Sequence, residues 1–144
     1  MKAMISEKFS IAHRLSSSMN NRQNNLHGHT WRVDVVVEGP VGRDGFVMDF
    51  VLLKEKVKAA LDGFDRKVIL GNNDVLLFEG LKKLGVDVRT IEGEPTAENL
   101  AKVLYRRLER ELGKSVYLEK VVVWRSDNAW VECNEADAEI VKGG

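Results

Sequence analysis

The chain has 144 residues, 44% of them apolar and 31% charged, and Lys plus Arg equals Asp plus Glu at 22 each. That length fits one domain spanning 1–144, and the charge balance excludes the basic excess of a nucleic-acid binder. One cysteine, Cys133, excludes an intrachain disulfide; with no signal layout and no apolar run of membrane-spanning length, the expectation is a cytoplasmic protein without membrane or nucleic-acid partners. In chain order, Ile5, Phe9, Ile11 and His13 share one parity, so residues 3–13 are expected to form a strand. Residues 14–25, rich in Ser and Asn, are expected to form a loop. From His29 to Glu38, Trp31, Val33, Val35 and Val37 alternate with mostly polar residues, which predicts a second strand. Asp49 is placed to cap a helix with Phe50, Leu53, Val57 and Leu61 on its apolar face. Residues 74–84 predict a short helix closed by Gly85. Thr96 is placed to cap the longest helix, lined by Leu100, Leu104, Leu108 and Leu112 and ended by Gly113. Residues 116–124 and 129–141 predict two last strands. Strands at both ends with helices between them argue for an α+β fold, an antiparallel sheet with helices covering one face.

All three histidines lie within the first 29 residues. His27 and His29 are two apart, so on an extended segment both imidazoles point the same way, with Gly28 keeping the backbone between them open. His13 ends the preceding strand and can be brought alongside. Three neutral imidazoles and no thiolate suit Zn²⁺ with a fourth position left for water or substrate. A single histidine placed this way is more often a surface or capping residue; the grouping of three points to a metal.

The neighbouring motifs strengthen that reading. Residues 9–15, FSIAHRL, and 26–31, LHGHTW, resemble the two zinc motifs of the 6-pyruvoyl- and 6-carboxytetrahydropterin synthase family. Residues 45–50, GFVMDF, the run 95–101, PTAENLA, and the hairpin 124–133 resemble further segments of that family in the same order, over almost the whole chain. The resemblance implies the tunnelling fold, a four-stranded antiparallel sheet with helices on one face. It implies self-association into trimers or hexamers. It also implies a zinc-dependent lyase or synthase acting on a dihydroneopterin triphosphate-type substrate, with Thr96 and Glu98 in a segment that lines the substrate pocket of a neighbouring subunit.

Three positions depart from the family pattern. Gln23 stands where the family carries a cysteine or glutamate for proton transfer, and a neutral amide is no base near neutral pH. Asp65 is kept from an Asp-His relay, but Arg66 replaces the histidine, and a guanidinium does not pass a proton back and forth. Arg125 replaces a glutamate that accepts the pterin N–H groups; it offers only donors, suits a carboxylate or phosphate, and leaves Asp127, of the same strand parity, as a substitute anchor. Cys133 is expected to be a buried small apolar residue. These departures open an alternative: a divergent zinc-binding relative that handles another anionic small molecule, or a non-catalytic assembly.

Overall fold

The computed structural model describes residues 1–16 and 21–139. Strands β1 (Lys2–His13) and β2 (His27–Glu38) form its longest antiparallel ladder, in a register that sets His13 directly opposite His27. Their connection holds a short helix, α1 (Asn21–Asn24), where a plain loop is expected from the sequence; residues 17–20 of that loop lie outside the described residues. Phe9, Ile11, Trp31, Val33, Val35 and Val37 all turn to one face, as the alternation predicts, and are buried.

Two helices cover that face. In α2 (Phe50–Leu61) the Asp49 carboxylate accepts from the Val51 N–H at 2.7 Å, so the predicted cap forms. Leu53, Val57, Ala60 and Leu61 face the core, whereas Phe50, expected there too, is 57% exposed. In α4 (Ala97–Leu112) the Thr96 hydroxyl accepts from the Asn99 N–H at 3.2 Å, and all four predicted leucines are buried with Ala101 and Tyr105. Burial of each leucine contributes roughly 1.5–3 kcal/mol.

The sheet is not the expected four-stranded antiparallel one. It has six strands in the order β4-β3-β1-β2-β5-β6, and it is mixed. β3 (Lys67–Gly71) runs parallel to β1 at Ile11–His13, and β4 (Val88–Ile91) runs parallel to β3. The crossover between them is α3 (Val75–Lys83), the predicted short helix. It packs Leu77, Phe78 and Leu81 against Val68, Leu70 and Val88, while Ile69 enters the main core with the opposite parity. Helices therefore cover both faces at this end, and the expectation of helices on one face fails here. A strand buried on both sides carries an unbroken apolar run, so residues 68–70 show no alternation to betray them.

At the other end, β5 (Tyr117–Ser126) and β6 (Ala129–Cys133) complete the sheet. The last strand is shorter than predicted. Asn134 and Asp137 form reciprocal side-chain-to-backbone hydrogen bonds that start a short helix, α5 (Glu135–Ala138), while Val141 lies outside the described residues. Cys133 is buried in the core, and burial pushes its thiol up to about 11. Among the described residues, β1 has no second strand partner along 2–10, and β6 pairs only with β5. No described helix is long and apolar enough to cross a membrane.

Candidate metal centre

The β1–β2 register builds the cluster. His13 and His27 are cross-strand partners, and His29 follows two residues on, so all three rings leave the same face of the sheet. Ring centroids stand 4.7 Å apart for His13 and His27, 4.8 Å for His27 and His29, and 5.4 Å for His13 and His29. Buried Trp31 forms the floor, edge-on to His13 at 5.5 Å and to His29 at 5.9 Å. Gly28 is not needed for space at the cluster: a Cβ there would meet only the Ile11 carbonyl oxygen, at an ordinary 3.6 Å.

Two of the rings are oriented by backbone carbonyls. His13 Nδ1–H donates to the Pro95 oxygen at 2.8 Å, and His27 Nδ1–H donates to the Asn25 oxygen at 2.7 Å. A carbonyl only accepts, so both Nδ1 atoms carry the proton and a neutral ring then has its lone pair on Nε2. The Nε2 atoms of His13 and His29 are buried without a hydrogen-bond partner. Buried polar atoms left open in this way need an explanation, and a bound cation supplies one. One nitrogen from each ring lies within 4.8 Å of the others, wider than the roughly 3.4 Å spacing around a tetrahedral ion, so small ring rotations suffice to close the set. The residues present thus fit a divalent metal ion.

The surrounding loops hold this geometry. Arg14 grips the buried Asp74 carboxylate through Nε and Nη2, at 2.7 and 2.6 Å, and Asp74 makes no side-chain cap to α3. The backbone N–H and hydroxyl of Ser16 donate to Glu94 at 3.0 and 2.8 Å. Gly71 matters for the Pro95 carbonyl: a Cβ at Gly71 would stand 2.7 Å from the Gly93 oxygen, so only glycine lets the loop before α4 lie this close to β3.

Burial, then the neighbouring His27, His29 and Arg125 charges, bring His13 down to about 4, against the weaker opposing pull of the Pro95 hydrogen bond. Burial, then His27 and Arg125, lower His29 as well. In metal-free protein the unfolded chain therefore binds more protons than the folded one as pH falls below about 6.5. The melting temperature is expected to drop from pH 6.5 toward pH 4 and to lose no more on this account below that. A zinc-loaded sample should resist the drop until protons displace the metal. Thermal melts across that range, with and without chelator, check this.

The remaining sequence-derived residues fall into two groups. Arg125 belongs with the histidines, since its charge reaches both His13 and His29. It is the extra residue of a β-bulge: Trp124 pairs with Trp130 and Ser126 with Ala129, leaving Arg125 unopposed. Bulges re-aim side chains beside sites. The register shift also ends the parity expected to link Arg125 with Asp127, which sits exposed in the hairpin turn. Thr96 and Glu98 flank the start of α4, next to the Pro95 carbonyl that His13 holds; Thr96 is spent on its cap, and Glu98 is exposed.

Asp65 and Arg66 are occupied structurally. The Asp65 carboxylate accepts from the Ser10 N–H at 2.9 Å, and the Arg66 N–H donates to the Ser10 oxygen at 2.7 Å. Arg66 reaches this geometry with φ at 62°, a left-handed conformation uncommon outside glycine. Arg66 lines a groove with Ser10, Ala12, Gly28 and Thr30, and His29 of the cluster lines the same groove. Gln23 lies in α1 and its backbone oxygen accepts from the Leu15 N–H at 2.8 Å. The structure adds Pro95, Asn25 and Trp31 as supporting residues of the cluster. No sequence pattern announces the two carbonyls, and Trp31 reads from sequence as packing only.

Residues 3–136 match the 6-pyruvoyl tetrahydropterin synthase family. The chain is 31% identical over 125 residues to the 6-carboxy-5,6,7,8-tetrahydropterin synthase of Aquifex aeolicus, covering 80% of this chain and 77% of that one. It is 30% identical over 107 residues to a dihydroneopterin monophosphate aldolase of Pyrococcus furiosus, covering 74% and 76%. The Caenorhabditis elegans 6-pyruvoyl tetrahydropterin synthase structure superposes with a TM-score of 0.68 at 23% identity, covering 93% of this chain and 94% of that one, a likeness of fold. With the match running from β1 into α5, the chain belongs to the 6-pyruvoyl tetrahydropterin synthase family.

Proposed function

We propose that the protein is a zinc-dependent lyase that cleaves the side chain of a dihydroneopterin phosphate-type substrate. The observation that carries this is the cluster of His13, His27 and His29, with two Nδ1 atoms tied to carbonyls and two buried Nε2 atoms left open. His13, His27 and His29 would hold Zn²⁺, which when bound supplies Lewis-acid polarisation of a substrate oxygen. Family membership and the names of the relatives, synthases and an aldolase, support the substrate class.

The chain's own residues favour carbon–carbon cleavage. Gln23 offers no base for a C–H proton, the Asp65 carboxylate is engaged by Ser10, and Arg66 is permanently charged. Retro-aldol cleavage needs only an O–H proton to leave; the carbon–carbon bond then breaks and its electron pair passes into the ring imine, with a proton added at the ring-side carbon. An alcohol is a far stronger acid than a C–H, so a weak base suffices. Glu98, exposed in the first turn of α4 with a carboxylate that no other described residue engages, is the group assigned to that role. Arg125 would draw the phosphate end toward the cluster.

Incubating zinc-loaded protein separately with dihydroneopterin monophosphate and triphosphate, and separating the products, tests the proposal. A shortened pterin that disappears with chelator is expected; no product above a protein-free control with either substrate refutes it. Arg125 favours a second reading, a non-pterin anionic substrate, and tighter binding of simple organic phosphates than of pterins would select it.

The open edges of β1 and β6, with the exposed Phe50, Val51 and Leu52 beside the first, support self-association into trimers or hexamers, since an unpaired strand edge seeks a partner. The whole chain is read as one domain.

A further inference from the structure

A second group of basic side chains lies apart from the histidines, along the outer edge of β4. Among the described residues β4 pairs only with β3, so its other edge keeps backbone donors and acceptors open. Helices α3 and α4 flank this edge and leave a groove of about 720 Å³, within the range of small-molecule sites. Lys82, Arg89, Arg106 and Arg107 line it against two carboxylates, Asp87 and Glu92. Asp87 is already engaged, by Lys67 at 3.2 Å and Arg89 at 3.0 Å. Arg106 is engaged too, donating Nε and Nη2 to the Ala138 oxygen at 3.0 and 2.6 Å.

Arg107 differs from its neighbours. Its guanidinium carbon stands 4.6 Å from the centre of the Phe64 ring, and no carboxylate or carbonyl among the described residues pairs with it. Burial, then the nearby Arg110 and Arg89, push its pKa down. A guanidinium stacked on a ring keeps its in-plane donors free for a bidentate partner. The guanidinium lies against the backbone at Gly63, where the absence of a side chain lets it approach closely. Apolar side chains of Phe64, Phe78 and Val103 complete the wall.

We propose that this groove binds a phosphate ester carrying a flat ring, the chemical class of a nucleoside monophosphate, with Arg107 as the bidentate phosphate anchor. Lys82 supplies further positive charge, and the half-buried Phe78 and Val103 cover the ring, while Arg89 stays paired with Asp87 and Phe64 lies buried beneath Arg107. The inference does not depend on the reading of the histidine cluster.

Calorimetric titration of the full-length protein with AMP and with inorganic phosphate tests it. AMP should bind saturably and more tightly than phosphate, because only AMP uses the apolar wall. Arg107→Gln should weaken AMP about tenfold or more, and Arg107→Lys should restore only part of that, since a point charge lacks the fork. Lys120→Gln, on β5 where Lys120 pairs with Glu132 and outside the groove, should leave AMP binding unchanged. Amide shifts of wild-type protein should move at Phe64 and Thr90–Glu92 on adding AMP, a measurement that needs no variant. Absence of saturable AMP binding overturns the proposal, as does AMP binding that survives Arg107→Gln unweakened.

Discussion

Replacing His13 by alanine is expected to remove bound zinc and, with it, pterin cleavage, while leaving the sheet folded. His13 is the most enclosed of the three imidazoles, 3% exposed, and the one whose Nδ1 proton is held from across the molecule by Pro95. Changes to outer partners of a metal site cost about 10- to 100-fold in affinity; loss of an inner ligand removes a bond to the ion and should cost more. Some stability goes too, because the Pro95 carbonyl is left buried without a donor, at about 1–3 kcal/mol. Zinc content by elemental analysis should fall from about one equivalent to near none, and the melting temperature of the variant should no longer respond to added zinc. One equivalent of zinc retained by H13A would separate the metal from this cluster and remove the chemical basis of the proposed lyase.

The ability to read this site in the sequence rests on one property of antiparallel strands. Parity alone places His27 and His29 on one face, and the apolar alternation of 3–13 and 31–37 constrains the register that brings His13 opposite His27. The caps at Asp49 and Thr96 were equally legible, since capping is a local side-chain-to-backbone bond. What was hidden depends on distant contacts. Residues 68–70 form a strand because α3 and the main core bury opposite faces of it, and a run of three apolar residues does not name its neighbours. The outward ties of the imidazoles run to backbone oxygens, which every residue has. Asp65 looks like half of a relay but is held by Ser10, a partner 55 residues away in sequence. The bulge at Arg125 adds one residue to one strand, and counting alternate positions through it sends Asp127 to a place it does not occupy.

Substituting Arg125 by glutamate should weaken turnover of phosphorylated substrate selectively. The bulge sets Arg125 where its charge is felt by both His13 and His29, so an anion arriving at the cluster feels it as well. Charge-assisted hydrogen bonds contribute about 1.5–3 kcal/mol, so kcat/KM for dihydroneopterin monophosphate should fall about 10- to 100-fold, with repulsion adding to the loss. Unphosphorylated dihydroneopterin carries no such anion and should lose little, or gain if glutamate accepts the pterin ring donors. A structural defect at the hairpin would slow both substrates alike, which distinguishes it from an electrostatic role. The metal-free variant offers an independent readout. Removing the positive charge relieves repulsion on the protonated rings, so His13 and His29 should titrate higher than in the wild-type protein; burial, the larger cause, should still hold both below the ordinary 6.5. Imidazole titrations by NMR that do not move, together with equal losses on the two substrates, would leave Arg125 a surface residue with no part in recognition.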